Sequence, residues 1–197
     1  MDAVRELGID QDTIILWTSD NGDEDSYYGR TETWNGSGPF RMHKRYLYEG
    51  GIRVPMLGWW PGTIPAGSTS NLITTQYDLI PTLADIGGRP VTDAMDGISI
   101  FPTLSGAPDG QADREYLYWE FYERGPQQAV HLGERWKAYR ANGAKGEWEL
   151  YDLTRDIGES KDLASEFPDI IARVEVIANN EHTPHPHPKW RLPGIDP

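Results

Sequence analysis

The sequence predicts an α/β portion over residues 1–104, a linker over 105–113 and a small α+β domain, an antiparallel sheet with one helix, over 114–197. Three observations carry this. A helix-like stretch feeds straight into an apolar strand near the start, which is half of a βαβ unit. A Gly/Pro/Ser/Asp-rich stretch, SGAPDGQAD, interrupts the pattern at 105–113. Beyond it, short strand-like runs follow one another with turn residues between them, as in a meander.

Val4 to Gly8 reads as the end of an amphipathic helix closed by glycine. Thr13 to Thr18 is apolar on both sides, the pattern of a buried parallel strand. Residues 22–50 are polar and aperiodic, and a loop of that length in a compact domain is functional or disordered. Ile52 to Trp60 reads as a second strand, stopped by Pro61-Gly62. Leu79, Ile80, Leu83 and Ile86 have helical spacing, with Asp78 as N-cap and Gly87-Gly88 as stop. In the second domain the strand candidates are Tyr116–Phe121, Gln128–Leu132, Trp136–Arg140 and Trp148–Leu153, with a helix around Pro168–Ala178 and a Pro-rich tail.

Composition bounds the function. The 18 basic and 31 acidic residues give a net charge of -13, which argues against binding a nucleic-acid backbone. A small anionic substrate is not excluded, because a few local cations outweigh a distant field. The chain has no cysteine, so disulfides, thiolate metal sites and cysteine nucleophiles are ruled out within it. No apolar run approaches the roughly 20 residues that span a bilayer.

The densest chemistry lies in Ser19-Asp20-Asn21-Gly22, directly after the first strand. Ligands in open α/β sheets bind beyond the carboxyl ends of strands. An adjacent carboxylate and amide with a permissive glycine can aim two oxygens at a hard cation, Ca²⁺ or Mg²⁺. The same residues also make an ordinary turn, and taken alone that is the commoner reading. Lys44 is a compact point charge suited to a tetrahedral anion, or a solvated surface lysine. His43 beside it could bind substrate or donate a proton; a surface or structural role is the commoner one. His182, His185 and His187 read as a solvated tail, and Asp152, Asp156 and Glu159 as structural, since they lack EF-hand spacing.

The strings TIILWTSDNG, GSGPFRMHKRYLYEGGIRVPMLGWWPG and YDLIPTLADIGG, followed by DGISIFPTLSG, WKAYR and ELYDLTRDIGESKDLA, together resemble the sulfatase family. They occur in the family's order and cover residues from about 10 to 180. The wording around Trp59-Trp60-Pro61-Gly62 is most similar to arylsulfatases and N-acetylgalactosamine-6-sulfatases. The resemblance implies the C-terminal part of an alkaline-phosphatase-like mixed sheet with flanking helices, then the small α+β domain. It implies sulfuric ester hydrolysis on a sulfated small molecule or glycan. Asp20 and Asn21 match the pair that ligates the divalent cation, usually Ca²⁺, and Lys44 matches the lysine that contacts sulfate. Arg53 is a family position read as a buried arginine paired with a carboxylate.

The family's formylglycine nucleophile comes from a Cys/Ser-x-Pro-x-Arg signature. Ser37-Gly38-Pro39-Phe40-Arg41 nearly fits it, but Phe40 is too large for its place and the string follows the Asp-Asn pair instead of preceding it. The resemblance therefore implies that the nucleophile, further metal ligands, another lysine and the histidine acid are supplied by segments upstream of Met1. The corresponding expectations are an incomplete sheet with open apolar surface, little activity from this chain alone, and a separately encoded N-terminal half as one candidate partner. A phosphoesterase of the same superfamily and a non-catalytic sulfated-glycan-binding protein are the rival readings. Family members are often periplasmic, secreted or lysosomal.

Overall fold

The structure is a computed structural model that describes residues 1–24, 35–191 and 196. Part of the long loop and part of the Pro-rich tail therefore lie outside the described residues. In chain order the elements are α1 (Asp2–Glu6), β1 (Ile15–Thr18), α2 (Glu49–Ile52), β2 (Met56–Trp59), α3 (Leu79–Ile86), α4 (Phe101–Leu104), β3 (Tyr116–Phe121), β4 (Gln127–Leu132), β5 (Trp136–Ala141), β6 (Glu149–Asp152) and α5 (Pro168–Glu181), with short 3₁₀ turns between. The chain divides into two compact units, one of residues 1–18 with 55–114, the other of 19–54 with 115–197. Among the described residues no helix is long and apolar enough to cross a membrane.

In the first unit β1 pairs with β2, antiparallel, with Trp17 directly opposite Leu57. The expected parallel, buried strand is thus corrected. An apolar run reports that both sides avoid water but not which way its neighbour runs. Nor are both sides covered here, since Trp17 is 56% and Leu57 63% exposed. On the opposite face Leu16 is half-buried, and a side chain added at Gly58 would meet Leu16, Ile64 and Leu104.

Helix α3 forms where its periodicity predicts, but it is turned the other way. Ile80 and Leu83 are exposed, while Pro81 and Thr82 are buried. The anchor is Asp78, fully buried, whose carboxylate accepts from Thr75 N at 2.8 Å and Ile98 N at 3.0 Å and pairs with the Arg114 guanidinium. Asp78 occupies the N-cap position of α3 as expected, but with both oxygens committed its side chain caps the preceding turn (Gln76–Asp78). Residues expected to act as a linker are tied down: Gln111 Oε1 accepts from Thr103 Oγ1 at 2.7 Å and its Nε2 donates to Ser99 O at 2.8 Å.

The second unit is built on the predicted meander, with strand order β3-β4-β5-β6 and every pair antiparallel. Side chains alternate across a strand, so the sheet has two faces, and both are covered. On one face Val130, Leu132, Ala138 and Leu150 pack with Val174, Ile177 and Ala178 of α5. Those helix positions recur at helical spacing, and Pro168 opens the helix where its missing N–H costs nothing. On the other face Ala129, Tyr139 and Tyr151 pack with Leu47 and Tyr48. The long loop therefore returns to roof the sheet.

That second face also buries charge. Lys137, fully buried, lies directly opposite His131 in the β4–β5 register. Its Nζ stands 2.9 Å from Glu49 Oε1 and 3.5 Å from Glu159 Oε1. Burial alone would raise the Glu49 carboxyl, but the charges of Lys137 and Arg53 overcome it and pull it down to about 2. Burial holds the His131 imidazole down at about 4, despite Glu49 nearby. Burial likewise raises the Glu159 carboxyl, with Lys137 only partly opposing it. Two carboxylates sharing one lysine are thus driven apart.

Two outcomes follow from this core. Replacing fully buried Leu150 with alanine should cost about 3 kcal/mol, read as a lower urea midpoint, whereas exposed Val176→Ala should change it by less than about 0.5 kcal/mol. Acid should destabilise the chain in two stages. The unfolded state takes up a proton on His131 as pH falls from about 6.5 towards 4, and on Glu49 from about 4.5 towards 2, while the folded state resists both. In pH-dependent urea titrations His131→Gln should flatten the upper stage and leave the lower one.

Candidate functional site

Asp20, Asn21 and Lys44 all fall in the second unit. The Asp20–Asn21 turn is organised locally. Asn21 N donates to Asp20 Oδ1 at 3.0 Å, and Ser19 Oγ donates to Asn21 O at 3.0 Å. Asn21 Nδ2 donates to Gly22 O at 3.1 Å, which leaves the amide oxygen as the acceptor of that side chain. Asp20 is exposed and Asn21 half-buried.

Two backbone hydrogen bonds join this turn to the lysine loop. Gly22 N donates to Gly51 O at 2.9 Å, and Lys44 N donates to Asp23 O at 2.8 Å. The approach is so close that a Cβ on Gly22 would lie 1.7 Å from Gly50 O. One on Gly50 would lie 2.0 Å from Met42 O, and one on Gly51 2.0 Å from Tyr46 O. The requirement for glycine at 22, 50 and 51 is backbone-on-backbone contact. Met42 at φ 59° and Arg45 at φ 79° bracket His43 and Lys44 in the left-handed region, which side chains other than glycine rarely adopt. Strain of this kind persists only where the surroundings impose it, and it clusters at functional sites.

Lys44 is about a third exposed, with Nζ 3.9 Å from Glu24 Oε2. Arg45 holds the same carboxylate much more closely and reaches Glu123 Oε1 at 2.7 Å. His43 Nδ1 lies 3.0 Å from Lys44 O, and its ring meets Tyr46 edge-on at 5.2 Å. These two contacts are within its own loop.

The near-signature at Ser37–Arg41 is structural. Arg41 stacks over Tyr48 at 4.0 Å and donates to Tyr151 Oη at 2.7 Å and Glu159 O at 3.0 Å, so its guanidinium belongs to the sheet. Arg53 pairs with Glu49 Oε2 at 2.6 Å as expected, but its side chain is 37% exposed; the buried member of the pair is the glutamate. His182 corrects the solvated-tail reading. It is buried between Glu120 Oε1 at 2.6 Å and Asp196 Oδ1 at 2.9 Å. His185 and His187 are half-buried or exposed and stack on Trp190, which is 60% exposed. Asp152, Asp156 and Glu159 hold Arg135, Ser160 and the Glu49 amide respectively.

Among the described residues no three His, Asp or Glu side chains gather as a metal cluster. The donor chemistry of Asp20 and Asn21, one carboxylate and one amide oxygen, does suit a hard cation, but Ca²⁺ takes 6–8 oxygens. The pair fits as part of a ligand set. Sequence reasoning missed Lys137, because an alternating strand with one lysine reads as a solvated side chain. It also missed the glycine stacking. The only trace of it in the sequence was three glycines near two otherwise polar segments.

A family model described as N-sulphoglucosamine sulphohydrolase, C-terminal, matches residues 38–176. Human arylsulfatase A is 33% identical over 189 residues, covering 83% of this chain and 36% of that protein. The dog (Canis lupus familiaris) N-acetylgalactosamine-6-sulfatase is 28% identical over 228 residues, covering 98% and 41%. A solved structure of BT4656 in complex with its substrate, D-glucosamine-2-N,6-O-disulfate, aligns with TM-score 0.70 and 25% identity over 91% of this chain and 36% of that one. Ps i-CgsB in complex with k-i-k-neocarrahexaose shares the fold, with TM-score 0.73 at 24% identity over 98% of this chain and 41% of that one. The chain thus spans between 31% and 41% of the length of the first curated relatives it matches. By the match over residues 38–176 and by its fold, which is that of the alkaline-phosphatase-like sulfatases, the chain belongs to the sulfatase family.

Proposed function

We propose that the chain serves sulfuric ester hydrolysis, contributing Asp20 and Asn21 to a divalent-cation site and Lys44 to the sulfate, on a sulfated sugar or an aryl ester. The observation that carries this is the pair of backbone hydrogen bonds, Gly22 N to Gly51 O and Lys44 N to Asp23 O, that sets the two segments side by side. A sulfate ester gathers negative charge on the sulfuryl oxygens and the leaving oxygen as the S–O bond breaks. Groups aimed at that charge in advance lower the barrier. Lys44 would supply a compact positive charge; Asp20 and Asn21 would supply two oxygens to the cation, Ca²⁺ or in its place Mg²⁺. The bound cation polarises the sulfuryl oxygens.

The attacking group is not among this chain's residues in this reading. There is no cysteine, and Arg41 of the only near-signature is committed to Tyr151 and Glu159. The formylglycine nucleophile, the remaining ligands and the histidine acid belong to the rest of a sulfatase, with a separately encoded N-terminal half as one source. The division at 105–113 into a catalytic-domain portion and a C-terminal subdomain is part of the same proposal.

The purified 197-residue chain should bind Ca²⁺ only weakly, at about millimolar or above. Amide shifts in a calcium titration should centre on residues 20–22 and vanish in an Asp20→Asn, Asn21→Ala double variant. Lys44→Ala should leave that titration unchanged and abolish shifts caused by a sulfated monosaccharide. Hydrolysis of an aryl sulfate by this chain alone, at the ~1 s⁻¹ or faster usual for enzymes, would overturn the proposal. Sulfated-sugar binding that survives Lys44→Ala would also count against it.

A further inference from the structure

The geometry points to Lys137 as a positioning residue that sets the Asp20–Asn21 turn against Lys44 through Glu49, an inference that rests on the functional reading of those three residues. Glu49 is clamped from every side. Oε1 meets Lys137 Nζ at 2.9 Å and Oε2 meets Arg53 Nε at 2.6 Å. Its backbone N donates to Glu159 Oε2 at 2.7 Å. Both glutamates are almost wholly buried, and Glu159 itself sits at φ 51°. The next residues in the chain are Gly50 and Gly51. Gly51 O receives Gly22 N, and Gly50 N donates to Arg41 O at 2.8 Å. Arg41 is in turn held by Glu159 O. The segment between Arg41 and Glu49, which contains Lys44, is therefore fastened at both ends to the same point of the second unit.

The source of this rigidity is β5, paired on both sides by β4 and β6. Lys137 transmits it through a charge that Glu49 meets at 2.9 Å, closer than Glu159 at 3.5 Å. His131, its cross-strand neighbour, lies 4.0 Å from the same carboxylate oxygen. Stability alone is a poor account of this arrangement. A buried ion pair seldom outperforms well-packed apolar residues of the same volume, whereas fixing register is the best-attested use of a buried charge. Three links separate Lys137 Nζ from the Gly22 amide: Glu49, the Gly50–Gly51 backbone and the Gly51 carbonyl.

The test is native-state amide exchange by NMR on the full 197-residue chain, comparing Lys137→Met, Lys137→Arg, Glu49→Gln and Gly22→Ala. Lys137→Met and Glu49→Gln should lower protection at the Gly22, Lys44 and Gly50 amides at least tenfold, with the amides shared by β4 and β5 little changed. Lys137→Arg should restore most of it. Gly22→Ala, which breaks the seat without touching the ion pair, should reproduce the loss at Gly22 and Lys44. Uniform loss across site and sheet would mean a general stabilising role and would overturn the inference, as would unchanged protection at Gly22 and Lys44. Glu49→Gln approaches the same link from its other end, so the link stays testable should Lys137→Met not fold. The exchange experiment uses no ligand. An absence of calcium-induced shifts at residues 20–22 in the unsubstituted chain would therefore sink the functional reading and leave the exchange result to decide this one.

Discussion

The second unit is organised around one buried contact, the Lys137 ammonium against the Glu49 carboxylate. Taking two such ions out of water costs several kcal/mol each, and their attraction repays it only with good geometry and full satisfaction of the remaining atoms. Arg53 meets the second Glu49 oxygen, while Glu159 Oε1 is left with only its 3.5 Å ion-pair contact to Lys137. Glu159 meets the Glu49 amide, and His131 is kept neutral by burial so that it does not compete as a cation. The sheet thus carries the Lys137–Glu49 centre on one face, and on the other an aliphatic core with the Arg140–Glu175 pair beside it. Helix α5 meets its face through apolar contacts and an ion pair, Glu175 Oε2 with the buried Arg140 Nη1 at 3.1 Å. The returning loop is allowed one seat.

From that seat the candidate site is assembled by backbone. Gly22, Gly50 and Gly51 approach closer than any Cβ permits, so the Asp20–Asn21 turn and the lysine loop are set by peptide groups before side chains enter. The positive φ angles at Met42 and Arg45 are the counterpart. A loop squeezed between a fixed Glu49 and a fixed Arg41 has too little length to relax, and the strain falls on the residues bracketing His43–Lys44.

Much of this was legible in the sequence, unevenly and for physical reasons. The meander was readable because each strand is short, amphipathic or apolar, and bounded by turn residues; the strands lie within a residue or so of where the pattern put them. Helix α3 was readable by period but not by orientation. A buried Asp78 carrying two amides and Arg114 outweighs the pull of Ile80 and Leu83 toward an interior. The direction of β1 was not readable, since direction is a property of the neighbour and its connection. Lys137 was invisible because its partner lies 88 residues away and no local pattern distinguishes a lysine aimed at a glutamate from one aimed at water. The grouping of residues 19–54 with 115–197 was hidden for the same reason.

The charges at the lysine loop bear on how a chain of net charge -13 could receive an anion at all. Two cations stand side by side, and Glu24 treats them differently. Arg45 is bound closely to Glu24 and again to Glu123, so its fork is spent on the protein. Lys44 stands 3.9 Å from Glu24 with a third of its side chain in water, a contact at the outer limit of an ion pair. Pairs of that kind contribute little, on the order of 0–1 kcal/mol, so exchanging Glu24 for a doubly accepting sulfate oxygen would cost the lysine almost nothing. The distant acidic residues matter less than this contrast, because charges beyond roughly 8–10 Å are screened at ordinary salt. Glu24 would then hold Lys44 in place in the absence of substrate without keeping it from an anion.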